Sequence, residues 1–358
     1  MKIISRYVSR SVAAATFVVL VAVVGLDFVF RLVGDLDNMK GSYTFGKVFV
    51  YTLMETPLQL YSLMPLAAMI GCLVGLGSLA GSSELIVIRA TGVSTLRLTW
   101  LALKPALAFL LMTMAIGEYV APAAEEYGNS VRATARAGQK QIDLRSVFWV
   151  RDGNNFIFVR VVRPDGEMHG VNIFEFDDDQ SLTMIRRANK ATYEDGQWLL
   201  KNVRITDLKN VDGLPVEIGS HQQKQMMWKS DLQPALLSIA AAKPTDLQMQ
   251  QLWTYISYLD DQSLNSVVYQ LAFWEKVFYP LVMVSLVLIG IAFVFGPLRQ
   301  VTMGYRIFWG VLVGVLVKTL QNALGPVSIV FGFSPVMAMA VPAFVCMGIG
   351  FILLRRVR

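Results

Sequence analysis

Ser82-Ser83-Glu84-Leu85-Ile86-Val87-Ile88-Arg89-Ala90-Thr91-Gly92 lies between two long apolar runs and reads as a short helix. Ser82 or Ser83 is placed to cap its N-terminus, and Glu84 sits where the helix dipole favours a negative charge. Gly92 fits a C-terminal stop. Leu85, Ile88 and, less cleanly, Val87 can form an apolar face with Glu84 and Arg89 at its edges. Two readings are open for such a helix between membrane spans. It can lie on lipid headgroups, or it can be a coupling helix that docks into a soluble motor subunit.

The flanking runs set the fold class. The chain has 358 residues, 54% hydrophobic and 16% charged, with a mean hydropathy of +0.50. Soluble domains carry about 25% charged residues, so this is a membrane protein. Upstream of Ser82, a second span lies within Lys47–Ala80, most apolar over Leu58–Ala80, with Pro57 and Pro65 placed to kink it and Gly71-x-x-x-Gly75 permitting close helix packing. The first span is Ser11–Phe30, preceded by Lys2, Arg6 and Arg10; its apolar core exceeds the usual ~7–15 residues of a signal peptide, so it reads as an uncleaved span. Downstream, a third span covers Leu96–Val120 and ends at Ala121-Pro122. A fourth runs from Phe273 to Gly296-Pro297. A fifth covers Ile307–Leu324 with the close-packing pair Gly310 and Gly314, closed by Gly325-Pro326. A sixth covers Val336–Leu354.

Between spans three and four the pattern changes. Ser146–Arg151, Asn155–Val162, Gly170–Phe176, Leu182–Arg187, Lys190–Tyr193, Gln197–Leu208 and Gln223–Lys229 read as strands, separated by Asp/Asn/Gly/Pro turns. Short strands at this spacing predict an antiparallel sandwich or open jelly roll. Leu247–Leu259 reads as a helix leading back to the membrane. The division is 1–127 for spans one to three, 128–262 for the β domain and 263–358 for spans four to six.

Charge gives the orientation. Residues 128–262 carry 16 Lys/Arg and 17 Asp/Glu out of 32 and 26 in the whole chain, which leaves 16 and 9 for the membrane part. This basic excess points to topology signals or to an acidic lipid rather than to nucleic acid. Lys2, Arg6, Arg10, Arg89, Arg97, Arg299, Arg306, Arg355, Arg356 and Arg358 fall on one side, against Arg31, Lys40 and Lys47 on the other. The positive-inside rule then puts both termini and the Ser82–Gly92 helix in the cytoplasm and the β domain outside.

No catalytic set emerges. Gly41–Lys47 matches GxxxxGK, but Val48 stands where a phosphate-binding loop needs Ser or Thr, and no strand precedes it. His169 and His221 are far apart, and Cys72 and Cys346 read as small buried hydrophobes, so neither a metal site nor a disulfide is expected. Asp27, Glu55, Glu118 and Glu275 are the intramembrane carboxylates; they serve either a proton path or pairing with basic residues near the outer interface. Lys318, mid-span in span five, faces either a water-filled cavity or a structural carboxylate. Arg31, Lys40, Arg132 and Arg136 lie just outside spans one and three. They form either a basic collar for a phosphorylated lipid or ordinary surface charge.

Certain stretches resemble a known family. They are Arg6-Tyr7; Ser83-Glu84-Leu85 through Ala90-Thr91-Gly92; Met114 to Pro122; Trp149 to Phe156; Tyr269-Gln270-Leu271; Phe295-Gly-Pro-Leu-Arg299 with Met303-Gly304; and Gly325-Pro326. In this order they resemble the LptF/LptG family of lipopolysaccharide-export permeases, the G-type subunits more than the F-type. The resemblance implies a six-span chain with a periplasmic β-jellyroll between helices three and four, in the inner membrane of a Gram-negative bacterium. It implies an LptF-like partner, two LptB-like ATPase subunits that use ATP and Mg, an LptC-like anchored jellyroll protein, and lipopolysaccharide as cargo. This chain itself would bind no cofactor and hydrolyse nothing. Glu84 falls on the acidic position of the coupling helix, with Leu85, Ile88, Arg89 and Gly92 completing the segment. Arg31 falls where a lysine is familiar, and Arg132 and Arg136 fall in the basic segment after span three. Met39-Lys40 stands where a lysine pair is expected, and Lys318 replaces an often uncharged residue, as if compensating from across the cavity. A permease for another envelope lipid or lipoprotein, and a non-transporting scaffold, are the rival functions.

Overall fold

The computed structural model describes all residues except 1, 38, 40–42, 137–147, 163–165, 178, 195, 212–213, 231, 296–301 and 357–358. It separates into a membrane unit, Met1–Gly138 with Val267–Arg358, and a β unit, Gln139–Ser266.

The membrane unit is built around its second helix, α2 (Phe45–Gly81). Helices α1 (Lys2–Leu36), α4 (Thr95–Ala115), α5 (Ala121–Arg136), α8 (Val267–Phe295) and α9 (Met303–Phe331) all pack on it, and α10 (Pro335–Arg356) packs on α8 and α9. The short α3 is Glu84–Ala90; α6 (Pro234–Ala241) and α7 (Met249–Asp261) belong to the β unit. Six helical stretches among the described residues are long and apolar enough to cross a membrane. Each span needs about 20 apolar residues, and the 35 residues of α1 exceed this, so its basic N-terminus extends past the lipid core.

The contact of α1 with α2 shows how the sequence sets packing. Val8, Val12, Thr16 and Leu20 recur every fourth residue on α1 and are all buried, the spacing of one helix face. Gly71 and Gly75 of α2 lie against that stripe. A Cβ at Gly75 would be 2.8 Å from Val12 Cα, and one at Gly71 would overlap Thr16 Cα and Oγ1. The pair Gly310 and Gly314 of α9 meets side-chain atoms instead, the Leu73 side chain at Gly310 and the Leu66 and Met69 side chains at Gly314.

Two span ends differ from the sequence expectation. Span three does not stop at Pro122. The chain passes through a π-helical turn, Ile116–Val120, in which the Ala121 N–H donates to Ile116 O, and α5 follows with Pro122 in its first turn. The helix is continuous into α5, so Pro122 removes one backbone donor, a gap that π-type adjustments and neighbouring helices accommodate in membrane helices. Span five does not stop at Gly325-Pro326 either. The helix runs on to Phe331 and ends at Gly332, whose φ of +69° gives the left-handed stop. Proline in an apolar helix is accommodated when neighbours satisfy the freed carbonyl. The phosphate-loop lookalike is also settled in part: Gly46 and Lys47 fall in the first turn of α2, while residues 41 and 42 lie outside the described residues.

The β unit is an antiparallel sheet of six described strands: β1 (Phe148–Asp152), β2 (Asn155–Val162), β3 (Met168–Phe176), β4 (Leu182–Glu194), β5 (Gln197–Val211) and β6 (Leu214–Trp228), each beside its sequence neighbours. The β insertion between spans three and four is as expected, and its described strands follow one another as a meander. Two expected strands, 182–187 and 190–193, are one: Ala188, Lys190 and Ala191 stay paired with both neighbouring strands, while the buried positions Ala188 and Ala191, three apart, interrupt the alternation there. β6 starts nine residues earlier than the expected Gln223, its polar face hiding the strand pattern. The core holds Val150, Ile157, Val159, Ile173, Leu200 and Trp198, whose indole N–H donates to Leu232 O at 2.8 Å.

Candidate functional site

α3 is held in place by its buried face. Leu85 and Ile88 are 5% and 8% exposed and join the core formed by Val8, Val12, Leu79, Leu98 and Leu101. They therefore anchor the helix. Ile86 and Val87, at 54% and 63%, point outward with Arg89. The outward ledge is thus Glu84, Ile86, Val87 and Arg89; Val87, expected on the apolar face, is exposed instead, and Ile86 joins it. Gly92, with φ +86°, ends the helix as expected. Ser83 occupies the cap position but is itself left-handed, φ 62°, and its side chain makes no cap hydrogen bond. Ser82 turns its hydroxyl to Glu84 instead.

Glu84 has two partners. Tyr7 Oη donates to Glu84 Oε2 at 2.8 Å, and Ser82 Oγ donates to Oε1 at 2.9 Å. Tyr7 belongs to the start of α1, so the short helix is tied to the first span by a contact across 77 residues. The carboxylate is oriented by two hydroxyl donors, and its remaining lone pairs can accept from a donor outside the chain. Tyr7 was visible only as part of a motif; nothing local to it points to Glu84.

The second cluster sits at the other end of α1 and α2. Arg31 Nε donates to Asp27 Oδ2 at 2.7 Å, and its Nη1 is 3.9 Å from Glu55 Oε2. Arg132 on α5 donates through Nη1 to Tyr51 Oη at 2.9 Å, lies 4.7 Å over the Tyr51 ring, and has Nη2 at 3.9 Å from Asp35 Oδ1. Tyr51 Oη in turn donates to Glu55 Oε1. Tyr51 and Glu55 therefore bring Arg31 and Arg132 into one network, with both guanidiniums already facing carboxylates. Lys40 lies outside the described residues. Arg136 ends α5, so the helix places it one turn past Arg132, and its side chain lies outside what is described. Lys318 on α9 is not paired with a carboxylate among the described residues. Gly314 faces Leu66 of α2, which sets Lys318 about one to two turns from Glu55 along α2.

Two of the intramembrane carboxylates, Asp27 and Glu55, are members of this network. A third, Glu118, lies in the π turn and pairs with Lys276 of α8 at 3.2 Å. Lys276 is 9% exposed and was not anticipated: it follows Glu275 at the start of an apolar run, and its partner is 158 residues away. Beside the pair, the Tyr61 and Tyr279 rings stack at 4.2 Å, and Tyr279 Oη donates to Tyr61 O. Lys276→Met leaves Glu118 without its cation. The expected loss is near the lower end of the ~3–5 kcal/mol for breaking a buried pair, because Glu118 retains 29% side-chain exposure. Lys276→Met/Glu118→Gln recovers most of it, as read from thermal unfolding in detergent.

Comparison with known proteins covers both units. The model of the family "Lipopolysaccharide export system permease LptF/LptG" matches residues 6–356. The chain is 33% identical over 344 residues to the lipopolysaccharide export system permease protein LptG of Escherichia coli (strain K12), covering 95% of this chain and 94% of that one. It is 30% identical over 343 residues to LptG of Haemophilus influenzae, with the same coverage. LptF of Escherichia coli (strain K12) is more distant, 24% identical over 259 residues, 64% of this chain and 70% of that one. The family match begins before the first apolar run and ends in the last turn of the sixth span, so it takes in the membrane helices and the β insertion together, and the chain belongs to the LptF/LptG family of lipopolysaccharide export permeases.

Proposed function

We propose that this chain is one of two related permease subunits that draw lipopolysaccharide out of the inner membrane, with an LptF-like chain as its partner. The observation that carries the mechanism is α3: a ledge of Glu84, Ile86, Val87 and Arg89 anchored from beneath and tied through Tyr7 to span one. One of two LptB-like ATPase subunits, which use ATP and Mg, docks there, the pair serving the heterodimer; this chain transmits their closure and catalyses no reaction. Both termini lie in the cytoplasm, the β domain lies in the periplasm, and an LptC-like protein continues the route.

Lipopolysaccharide enters beside spans one and five. Arg31 and Arg132, with Lys40, Arg136 and Lys318 contributing, take its phosphates while the acyl chains occupy the apolar cavity. Asp27, Asp35 and Glu55 hold the two guanidiniums in position before the lipid arrives. The phosphates then exchange with them as bidentate partners. When nucleotide closes the motor, α3 moves with the start of α1, the cavity narrows and the lipid rises. Such a stroke requires the motor's nucleotide states to bind α3 in different geometries.

A pull-down from native membranes through a C-terminal tag tests this reading. An LptB-like ATPase and bound lipopolysaccharide are expected together. Lipid without an ATPase would favour a scaffold, and a different envelope lipid that competes lipopolysaccharide away would favour the other permease.

A further inference from the structure

The β sheet carries one row of side chains on the face turned away from its core. In register across all six strands stand Trp149, Phe158, Asn172, Arg187, Arg204 and Gln222. Their chain neighbours Val150, Ile157, Val171, Ala188 and Val203 are buried in the core, and alternation puts the row on the opposite face. At one end, Trp149 is 58% exposed and its ring meets Phe158 at 5.2 Å and Phe174 at 5.5 Å. These rings, with Asn172, Arg160 and Arg187, line a shallow concavity of about 450 Å³.

The other end has an electrostatic feature that the fold does not explain. Arg187 and Arg204 are directly opposed on neighbouring strands, and like charges in that position destabilise a sheet. Neither these two nor Arg160 has a carboxylate partner among the described residues. Glu175, which lies one residue out of phase with the row, is taken by Arg186. Among the described residues, three guanidiniums thus face outward without a carboxylate beside an aromatic platform, where a bound anion would relieve the repulsion.

We propose that this row is a binding track for the phosphorylated saccharide portion of lipopolysaccharide, an assignment that rests on the permease reading above. Strands lie about 4.8 Å apart, so the row extends roughly 24 Å, the length of several sugar rings. A pyranose lays its C–H face on the Trp149, Phe158 and Phe174 rings, which offer flat apolar surface. Its hydroxyls meet the Asn172 and Gln222 amides. Its phosphates take the forks of Arg187 and Arg204, which match phosphate geometry. The open, shallow shape suits a flat polar chain, whereas acyl chains need an enclosed groove.

The test uses the full chain in its native membrane with Gln222→p-benzoylphenylalanine as a photocrosslinker. Illumination is expected to yield an adduct with lipopolysaccharide. Arg187→Gln/Arg204→Gln, or lipopolysaccharide stripped of its sugar phosphates, should lower the adduct by about tenfold or more, the scale of lost charge-assisted hydrogen bonds. The same double variant, purified without lipid, should melt at or above the parent's temperature, since the opposed charges are gone; a lower melting temperature would make the pair structural and overturn the proposal. An adduct with polypeptide only, or a lipid adduct indifferent to the two arginines, also overturns it. ATP-driven export measured in parallel separates the two claims. Export without an adduct removes the track alone; absence of export together with absence of lipopolysaccharide anywhere on the chain removes the permease reading beneath it.

Discussion

Glu84→Lys is expected to abolish association with the ATPase subunit and lipopolysaccharide export while leaving the chain folded. The folding half follows from position. Glu84 is partly exposed, and α3 is held by Leu85 and Ile88, which the substitution does not touch. The change removes two partly exposed hydrogen bonds and a favourable charge in the first turn of α3, a local cost of about 1–2 kcal/mol that leaves the Leu85 and Ile88 anchor in place. The binding half follows from charge. The carboxylate now oriented by Tyr7 and Ser82 becomes an ammonium, the wrong sign for the cation that the proposed docking of a motor subunit would place against Glu84. Juxtaposed like charges cost several kcal/mol, which is about a hundredfold or more in affinity. Tyr7→Phe should fall between parent and Glu84→Lys, because the charge stays and only one of its two hydroxyl partners is lost. Copurification of the ATPase and the amount of lipopolysaccharide reaching the outer membrane are the readouts. Full ATPase recovery with Glu84→Lys would show that the motor grips some other surface.

Gly71→Leu should have the largest structural effect of any single change. A Cβ at this position already overlaps the backbone of Thr16, and at Gly75 it would stand 2.8 Å from Val12 Cα. Backbone cannot rotate away as a side chain can, so α1 must separate from α2. The Val8–Val12–Thr16–Leu20 stripe then loses its contact with α2, and small residues are what allow such close approach in membranes. Overpacking typically costs ~1–3 kcal/mol; with backbone as the obstacle, the loss should exceed that range. Gly310→Ala is the control. It meets only the end of the Leu73 side chain, which can shift, and should cost much less. Expression level and thermal unfolding in detergent would show the difference; equal losses at the two positions would contradict the packing described here.

The spans were legible because burial in lipid demands long apolar runs, and nothing else in the chain has them. Their ends were less so. Pro122 and Pro326 look like stops, yet the first falls in an opening turn behind a π segment and the second is carried through to Gly332. Strand existence was legible from alternation, whereas Ala188 and the polar face of β6 concealed how far β4 and β6 run. The Gly71-x-x-x-Gly75 spacing was a weak signal on its own, and the stripe on α1 is what gives it meaning. Pairings across long separations had no local trace: Tyr7 with Glu84, Lys276 with Glu118, and Arg31 with Arg132 through Tyr51 and Glu55. The basic collar was readable as a set of cations. That Asp27, Asp35 and Glu55 already face two of them was not, because it depends on how α1, α2 and α5 meet.

ATP-driven transfer of lipopolysaccharide is the decisive measurement for this chain. The chain would be reconstituted with its LptF-like partner and the ATPase in vesicles loaded with lipopolysaccharide, and release to a soluble periplasmic acceptor followed with and without ATP, with Glu84→Lys beside the parent. Release should require ATP in the parent and be lost in Glu84→Lys. Release that proceeds equally without ATP, or that Glu84→Lys leaves intact, would rule out a motor-driven permease coupled through α3.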